Sequence, residues 1–188
     1  MNRCIRAQIA ATAALAVCLV AACAAPIVPQ RSKPGGAARW AEAVVQQRVA
    51  EWARDAQLCQ VLGIGVGIDG WLPDRGGTWQ LTYWSPQKTS VMQVSVDTEG
   101  KVRAQEKGEA PQSGHSVPAL WSDSPKAWAA TRRHQKGEPL STFEAELALD
   151  ADREHFPGQF VWRIRFWLPD NTYETHVVSP EAKWLLTY

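Results

Sequence analysis

The sequence predicts an α+β fold of two repeats, each a helix packed on a three- to four-stranded antiparallel sheet. Three observations carry this expectation. An amphipathic stretch followed by period-two strands occurs twice, both times in the same order. The strands alternate apolar and polar residues and are punctuated by Pro, Gly, Asp and Asn, which marks antiparallel hairpins. A sixteen-residue frame also recurs: Trp79-x-Leu81-x-Tyr83-Trp84-x-Pro86-x-x-Thr89-x-x-x-x-Val94 returns without a gap, 83 residues later, as Trp162-x-Ile164-x-Phe166-Trp167-x-Pro169-x-x-Thr172-x-x-x-x-Val177. Five positions are identical, two of them tryptophan, and this points to an internal duplication.

The N-terminal stretch is of a different kind. Arg3 and Arg6 precede a run from Ala7 to Ala22 that is almost wholly Ala, Val, Leu and Ile. That length suits the core of a signal peptide better than a spanning helix. The run ends in Val20-Ala21-Ala22-Cys23, which resembles the lipobox of bacterial lipoproteins, where the cysteine is acylated and becomes the mature N-terminus. The resemblance implies a signal peptide over 1–22, lipidation of Cys23, and a chain held on a bilayer by N-terminal acyl chains. Ala24 after the cysteine implies the outer membrane, facing the periplasm. The alternative is an ordinary secretory signal cut near Ala22.

Removing 22 of 188 residues leaves 166, and the loss of Arg3 and Arg6 takes Lys plus Arg from 20 to 18 against 19 Asp plus Glu, a net charge of −1. A surface so nearly neutral offers no general field for nucleic acid. Cys4 and Cys18 leave with the signal and Cys23 takes lipid, so Cys59 remains alone and no internal disulfide is expected. Cys59 reads either as a small buried hydrophobe at the end of a helix or as a thiol for a mixed disulfide.

Residues 23–38, with three prolines and paired glycines, read as a flexible tether. The first repeat is expected over 39–104. It begins with a helix from Arg39 to Cys59, whose Ala41, Val45, Val49, Trp52, Ala53 and Ala56 share a face. Gly63, Gly65 and Gly67 then alternate with Ile64, Val66 and Ile68, as in a strand with one bare face. Such a face leaves room for a large ring, Trp40 and Trp52 being the candidates. Gly65 to Gly70 fits G-x-G-x-x-G, but Trp71-Leu72-Pro73 follows where a phosphate-binding helix would have to start. Two hairpin strands and a tight turn at Asp97-Thr98-Glu99-Gly100 complete the repeat. A linker is expected over 105–118 and the second repeat over 119–188, with a helix over Pro125–Lys136 and strands over Thr142–Leu149, Phe160–Leu168, Thr172–Val178 and Lys183–Tyr188.

Helix, antiparallel strands, a Trp-x-hydrophobic-x-aromatic strand and the turn Val96-Asp97-x-x-Gly100-x-Val102 together resemble PepSY domains, small extracytoplasmic modules. The duplicated layout is also similar to that of beta-lactamase inhibitory proteins. Both resemblances imply binding or inhibition of another protein and no catalytic residue.

The sequence holds no catalytic or metal-ligand pattern and implies no cofactor. His115, His134, His155 and His176 have no second ligand at metal spacing, and Ser113-Gly114-His115-Ser116 has no strand-to-helix elbow. Glu144 and Glu146 share one side of a strand, while Asp69 and Asp150 end strands; solvated faces and turns explain all four. A hydrolase would need His155 or His176 joined to a carboxylate in a well-formed pocket. The expected binding residues are Trp84 and Trp167, which alternation places opposite the inward rings, and Arg132 and Arg133 in the basic end of the second helix. The expected activity is therefore non-enzymatic binding of an envelope protein or peptide, as an inhibitor or regulator. The alternative is a glycan or peptidoglycan binder that uses the two indoles as sugar platforms.

Overall fold

A computed structural model describes residues 36–108 and 115–188. Cys23, the leader and the tether up to residue 35 lie outside the described residues. The elements are helix α1 (Ala38–Trp52), strands β1 (Gln57–Ile64), β2 (Thr78–Ser85), β3 (Ser90–Asp97) and β4 (Val102–Lys107), helix α2 (Ser124–Thr131) with a 3-10 turn at Arg132–His134, then β5 (Ser141–Leu149), β6 (Phe160–Trp167), β7 (Tyr173–Val178) and β8 (Trp184–Thr187).

The strands form one antiparallel sheet in the order β4-β3-β2-β1-β5-β6-β7-β8. This corrects the expected fold of two repeats, each a helix on its own sheet. β1 and β5 pair along five rungs, from Gln60 opposite Ala148 to Ile64 opposite Glu144, so no edge remains between the two groups of four. The hydrophobic core is likewise common to both: one cluster holds α1, α2 and strands from both halves of the sheet. A half-sheet leaves an unpaired row of main-chain donors and acceptors, and pairing β1 with β5 removes two such rows at once.

The middle of the sheet explains the tryptophans. Gly63 of β1 lies between Trp79 and Ala145 in the ladder, so the two central strands carry almost no side chain at this point. Indoles fill the space. Trp79, Trp128 and Trp162 are essentially inaccessible, and their rings meet edge to face at 5.8–6.4 Å, with Trp121 tilted against Trp162 at 5.9 Å. A Cβ on Gly63 would sit 2.5 Å from the Trp79 ring. The strand expected over Gly63 to Ile68 ends at Ile64, so Gly65 and Gly67 form no bare strand face; Gly63 alone receives a ring, that of Trp79 from the neighbouring strand, and Trp40 packs instead near the Gly100 turn.

The helices are tied together at their N-termini. Ala37 offers α1 no side-chain cap. The cap comes from the second half of the chain: Asp123 Oδ1 accepts from Arg39 N at 2.9 Å, and Ser124 Oγ accepts from Ala38 N at 3.0 Å while donating to Gly70 O at 2.7 Å. Two of the four orphan donors of a helix start are satisfied this way.

Several boundaries move. α1 ends at Trp52, not Cys59, because Ala53 is already extended and β1 follows. A bulge at Cys59 places Leu58 and Val61, three residues apart, on the same core face, and this spacing imitates a helix. The tether does not reach residue 38: Gly36 O accepts from Leu72 N and from the Trp79 indole, and Ala37 and Ala38 are buried. The linker does not begin at residue 105, since β4 runs to Lys107, and Val117 is already tied to Leu58 O. α2 stops at Thr131, short of the expected Lys136. Asp97–Gly100 turns as expected, with Gly100 at φ +79.

Candidate functional site

Both helices lie on one face of the sheet, the face of Leu81, Val94, Trp162 and Ile164. Alternation sends the intervening residues to the opposite face. At the β8 end of that second face, Ala148, Val161 and Val177 form a small cluster closed by Phe156, Leu185 and Leu186. The remainder is uncovered by the described residues, and a continuous polar ladder runs across it.

Register builds that ladder. Leu62, Glu146, Arg163 and Val177 stand in one row, and Ile64, Glu144, Arg165 and Thr175 in the next. The Arg163 guanidinium reaches both Glu146 at 2.8 Å and Glu144 at 3.2 Å. Gln60 donates to Glu146 at 2.6 Å and accepts from Thr82 at 3.1 Å, while Arg165 approaches Glu144 at 3.8 Å. The Nε–H groups of Arg163 and Arg165 are buried and have no hydrogen-bond partner. Next to Arg165 an aromatic group continues the face: Trp167 meets Phe143 at 5.5 Å and Tyr173 at 6.3 Å, both edge-on, and Arg165 lies 5.8 Å from the Tyr173 ring. Phe143 is 47% exposed and Tyr173 57%. Phe143 owes its position to a second bulge, between Thr142 and Glu144.

The expected binding residues do not converge. Trp84 and Trp167 are both on the uncovered face and both half-buried. Trp84 stands in the row of Gln57, beyond one end of the β1–β5 ladder, and Trp167 in the row of Ser141, beyond the other. The two indoles therefore mark opposite ends of the sheet and form no paired platform. Arg132 and Arg133 are exposed in the 3-10 turn after α2, and the neighbouring His134 stacks on Trp184 at 3.7 Å. Cys23 lies outside the described residues.

Sequence reasoning passed over Phe143, Tyr173, Arg163 and Arg165. The arginines were legible as the polar half of the Trp162-x-Ile164 alternation, but their pairing with Glu144 and Glu146 depends on register. Tyr173 and Phe143 carry no sequence signal, since a bulge and a hairpin shift bring them to Trp167.

That hairpin shift also builds a buried polar pair. β2 and β3 pair with Trp84 opposite Val91, whereas β6 and β7 pair with Trp167 opposite Tyr173, one residue out of step with the repeated frame. A one-residue slip exchanges faces. Val94 faces the helices, Val177 faces away, and Glu174 and His176 turn inward to 3% and 0% exposure. Glu174 accepts from Lys136 N with both oxygens. His176 Nδ1 contacts Thr187 Oγ1 at 2.8 Å, and Nε2 lies 3.1 Å from Glu174, outside hydrogen-bonding alignment. Burial, with His134 and Lys136 acting in the same direction, holds the imidazole down at about 4 despite the carboxylate beside it. A His–carboxylate contact exists, then, but it is closed to solvent. His155 contacts Asp152 at 3.1 Å in the loop over the small cluster and lies against Tyr188.

Cavities flank α1 instead. One of about 500 Å³ is lined by residues including Arg39, Glu42, Arg54 and Tyr83. Another of about 290 Å³ is lined by Arg48, Glu51, Trp52, Met92, Ala104 and Glu106. Among the described residues, no three His, Cys, Asp or Glu side chains gather as metal ligands, and no helix is long and apolar enough to cross a membrane. The chain matches no family model, no curated protein and no solved structure.

Proposed function

We propose that this chain is a lipid-anchored envelope protein that binds a protein or peptide partner without catalysis, through the uncovered face of its sheet. One observation carries the reading. Trp167, Phe143 and Tyr173 adjoin the Glu144–Arg163–Glu146 ladder on a face that neither helix covers. Exposed aromatics beside arginines with unused N–H donors are the residue types that dominate protein interfaces. The likeness of the Val96–Val102 turn to PepSY domains agrees with a binding role. The Val20–Cys23 motif supports attachment through Cys23, and Ala24 after it favours the outer membrane, facing the periplasm.

The test is recovery of partners from detergent-solubilised membranes of the native host. Wild type should retain a discrete protein that a Trp167→Ala/Tyr173→Ala variant retains at least about fivefold less, as expected when interface aromatics each contribute 1 kcal/mol or more. Equal recovery by the two proteins refutes the aromatic face. Failure of labelled palmitate to enter the wild-type chain, where a Cys23→Ala variant serves as the blank, refutes the anchor.

A further inference from the structure

The uncovered edge of the sheet is a second surface, independent of the aromatic face. Among the described residues β4 ends the sheet and nothing pairs its outer side. Its six residues, Val102 to Lys107, are all exposed and follow β3 in unbroken register. The opposite edge, β8, has four residues.

The orientation of the edge groups follows from the turn. Asp97 N donates to Lys101 O, which sets the phase of the ladder. By the alternation of antiparallel pairs, Arg103, Gln105 and Lys107 bond inward to β3, while the N–H and C=O of Val102, Ala104 and Glu106 face outward. Three residues therefore hold a strand's worth of unused donors and acceptors.

The side chains along the edge differ by face. On the face away from the helices stand Lys101, Arg103, Gln105 and Lys107, and the cross-strand partners of Arg103 and Lys107 are the uncharged Ser95 and Val91. On the helix face, Ala104 and Glu106 border the 290 Å³ cavity with Trp52 and Met92. Scattered lysines on an edge commonly serve to block pairing. Here the strand's own cations stand on one face, while the other face carries Val102 and Ala104 beside a recess of mixed character, where Trp52 and Met92 are joined by Arg48, Glu51 and Glu106.

We propose that β4 accepts a ninth strand from an acidic extended peptide, with carboxylates alternating along one side and apolar residues along the other. Its carboxylates stand beside Arg103 and Lys107, and its apolar side chains lie against Val102 and Ala104 at the rim of the recess. Main-chain bonds to Val102, Ala104 and Glu106 supply the attachment, and the two faces supply the selection.

The probe is a dye-labelled hexapeptide of alternating Glu and Val, with a Lys and Val hexapeptide as control, titrated by fluorescence anisotropy into the full chain in detergent. The acidic peptide should bind saturably, at least about tenfold more tightly than the basic one, since each reversed cross-strand charge pair changes sign. Amide exchange at Val102, Ala104 and Glu106 should slow on binding. Ala104→Pro removes an outward N–H while sparing the β3 ladder, and should abolish uptake. Arg103→Glu/Lys107→Glu, which leaves the backbone untouched, should reverse the preference between the two peptides. Equal affinity for both peptides, or charge reversal without a change of preference, overturns the proposal. So does a dimer lost on Ala104→Pro in a protein that takes up neither peptide, because the edge then joins two copies. Trp167→Ala/Tyr173→Ala should bind the peptide normally, which separates this edge from the aromatic face.

Discussion

Replacing Ser124 by Ala should weaken the fold more than the loss of an ordinary helix cap. Ser124 is fully buried, and its hydroxyl bonds both the start of α1 and the Gly65–Gly77 loop. Alanine keeps the shape and removes only the oxygen, so no cavity opens. The Ala38 N–H and the Gly70 carbonyl, both buried, are left without that partner. A buried group left unpaired costs about 1–3 kcal/mol, so the pair is worth about 3 kcal/mol, against about 1 kcal/mol for a typical N-cap. At about 2–4 °C per kcal/mol for a domain of this size, the melting temperature should fall by about 6–12 °C. Urea denaturation followed by tryptophan emission measures the free energy directly, because Trp79, Trp128 and Trp162 lie in the shared core. A loss under about 1 kcal/mol would mean that the two helix starts are not coupled through this hydroxyl, and the reasoning fails.

Other substitutions and conditions probe separate parts of the structure. Gly63→Ala places a methyl 2.5 Å from the Trp79 ring and 2.6 Å from Val66, so it should cost about 1–3 kcal/mol by overpacking and alter the near-UV circular dichroism; an unchanged urea midpoint contradicts the ring-on-glycine packing. Cys59 is 7% exposed and desolvation pushes its thiol up to about 11, so its reaction with a maleimide at pH 8 should run about a hundredfold slower folded than in urea. His176 is held at about 4, below its ordinary value of 6.5, so the unfolded chain binds the extra proton between those limits. Stability contributed by the neutral imidazole is therefore present above pH 6.5 and lost as pH falls toward 4, by up to about 1.4 kcal/mol per unit. His176→Gln should flatten that part of the curve, and an equally steep slope in the variant assigns the loss to another group.

The two classes of information divide along a physical line. The sequence determined what depends on neighbours in the chain: six strands nearly to their ends, the Asp97–Gly100 turn with glycine at its left-handed position, the inward Trp79 and Trp162, and a glycine position that receives a ring. It also separated the Trp84 and Trp167 face from the core face, because side chains alternate with a fixed period of two. Tertiary structure alone decided which strands meet. Period two states a residue's face but not its neighbour, so the β1–β5 pairing that merges both halves into one sheet was invisible. The bulge at Cys59 and the one-residue slip at the β6–β7 hairpin were equally so. That slip turned Glu174 and His176 toward the helices and Val177 to the opposite face, although the repeated frame equates Val177 with the helix-facing Val94. The ladder of Gln60, Glu146, Arg163 and Glu144 draws on three strands up to 103 positions apart in the chain, and only their register brings the charges within reach of one another.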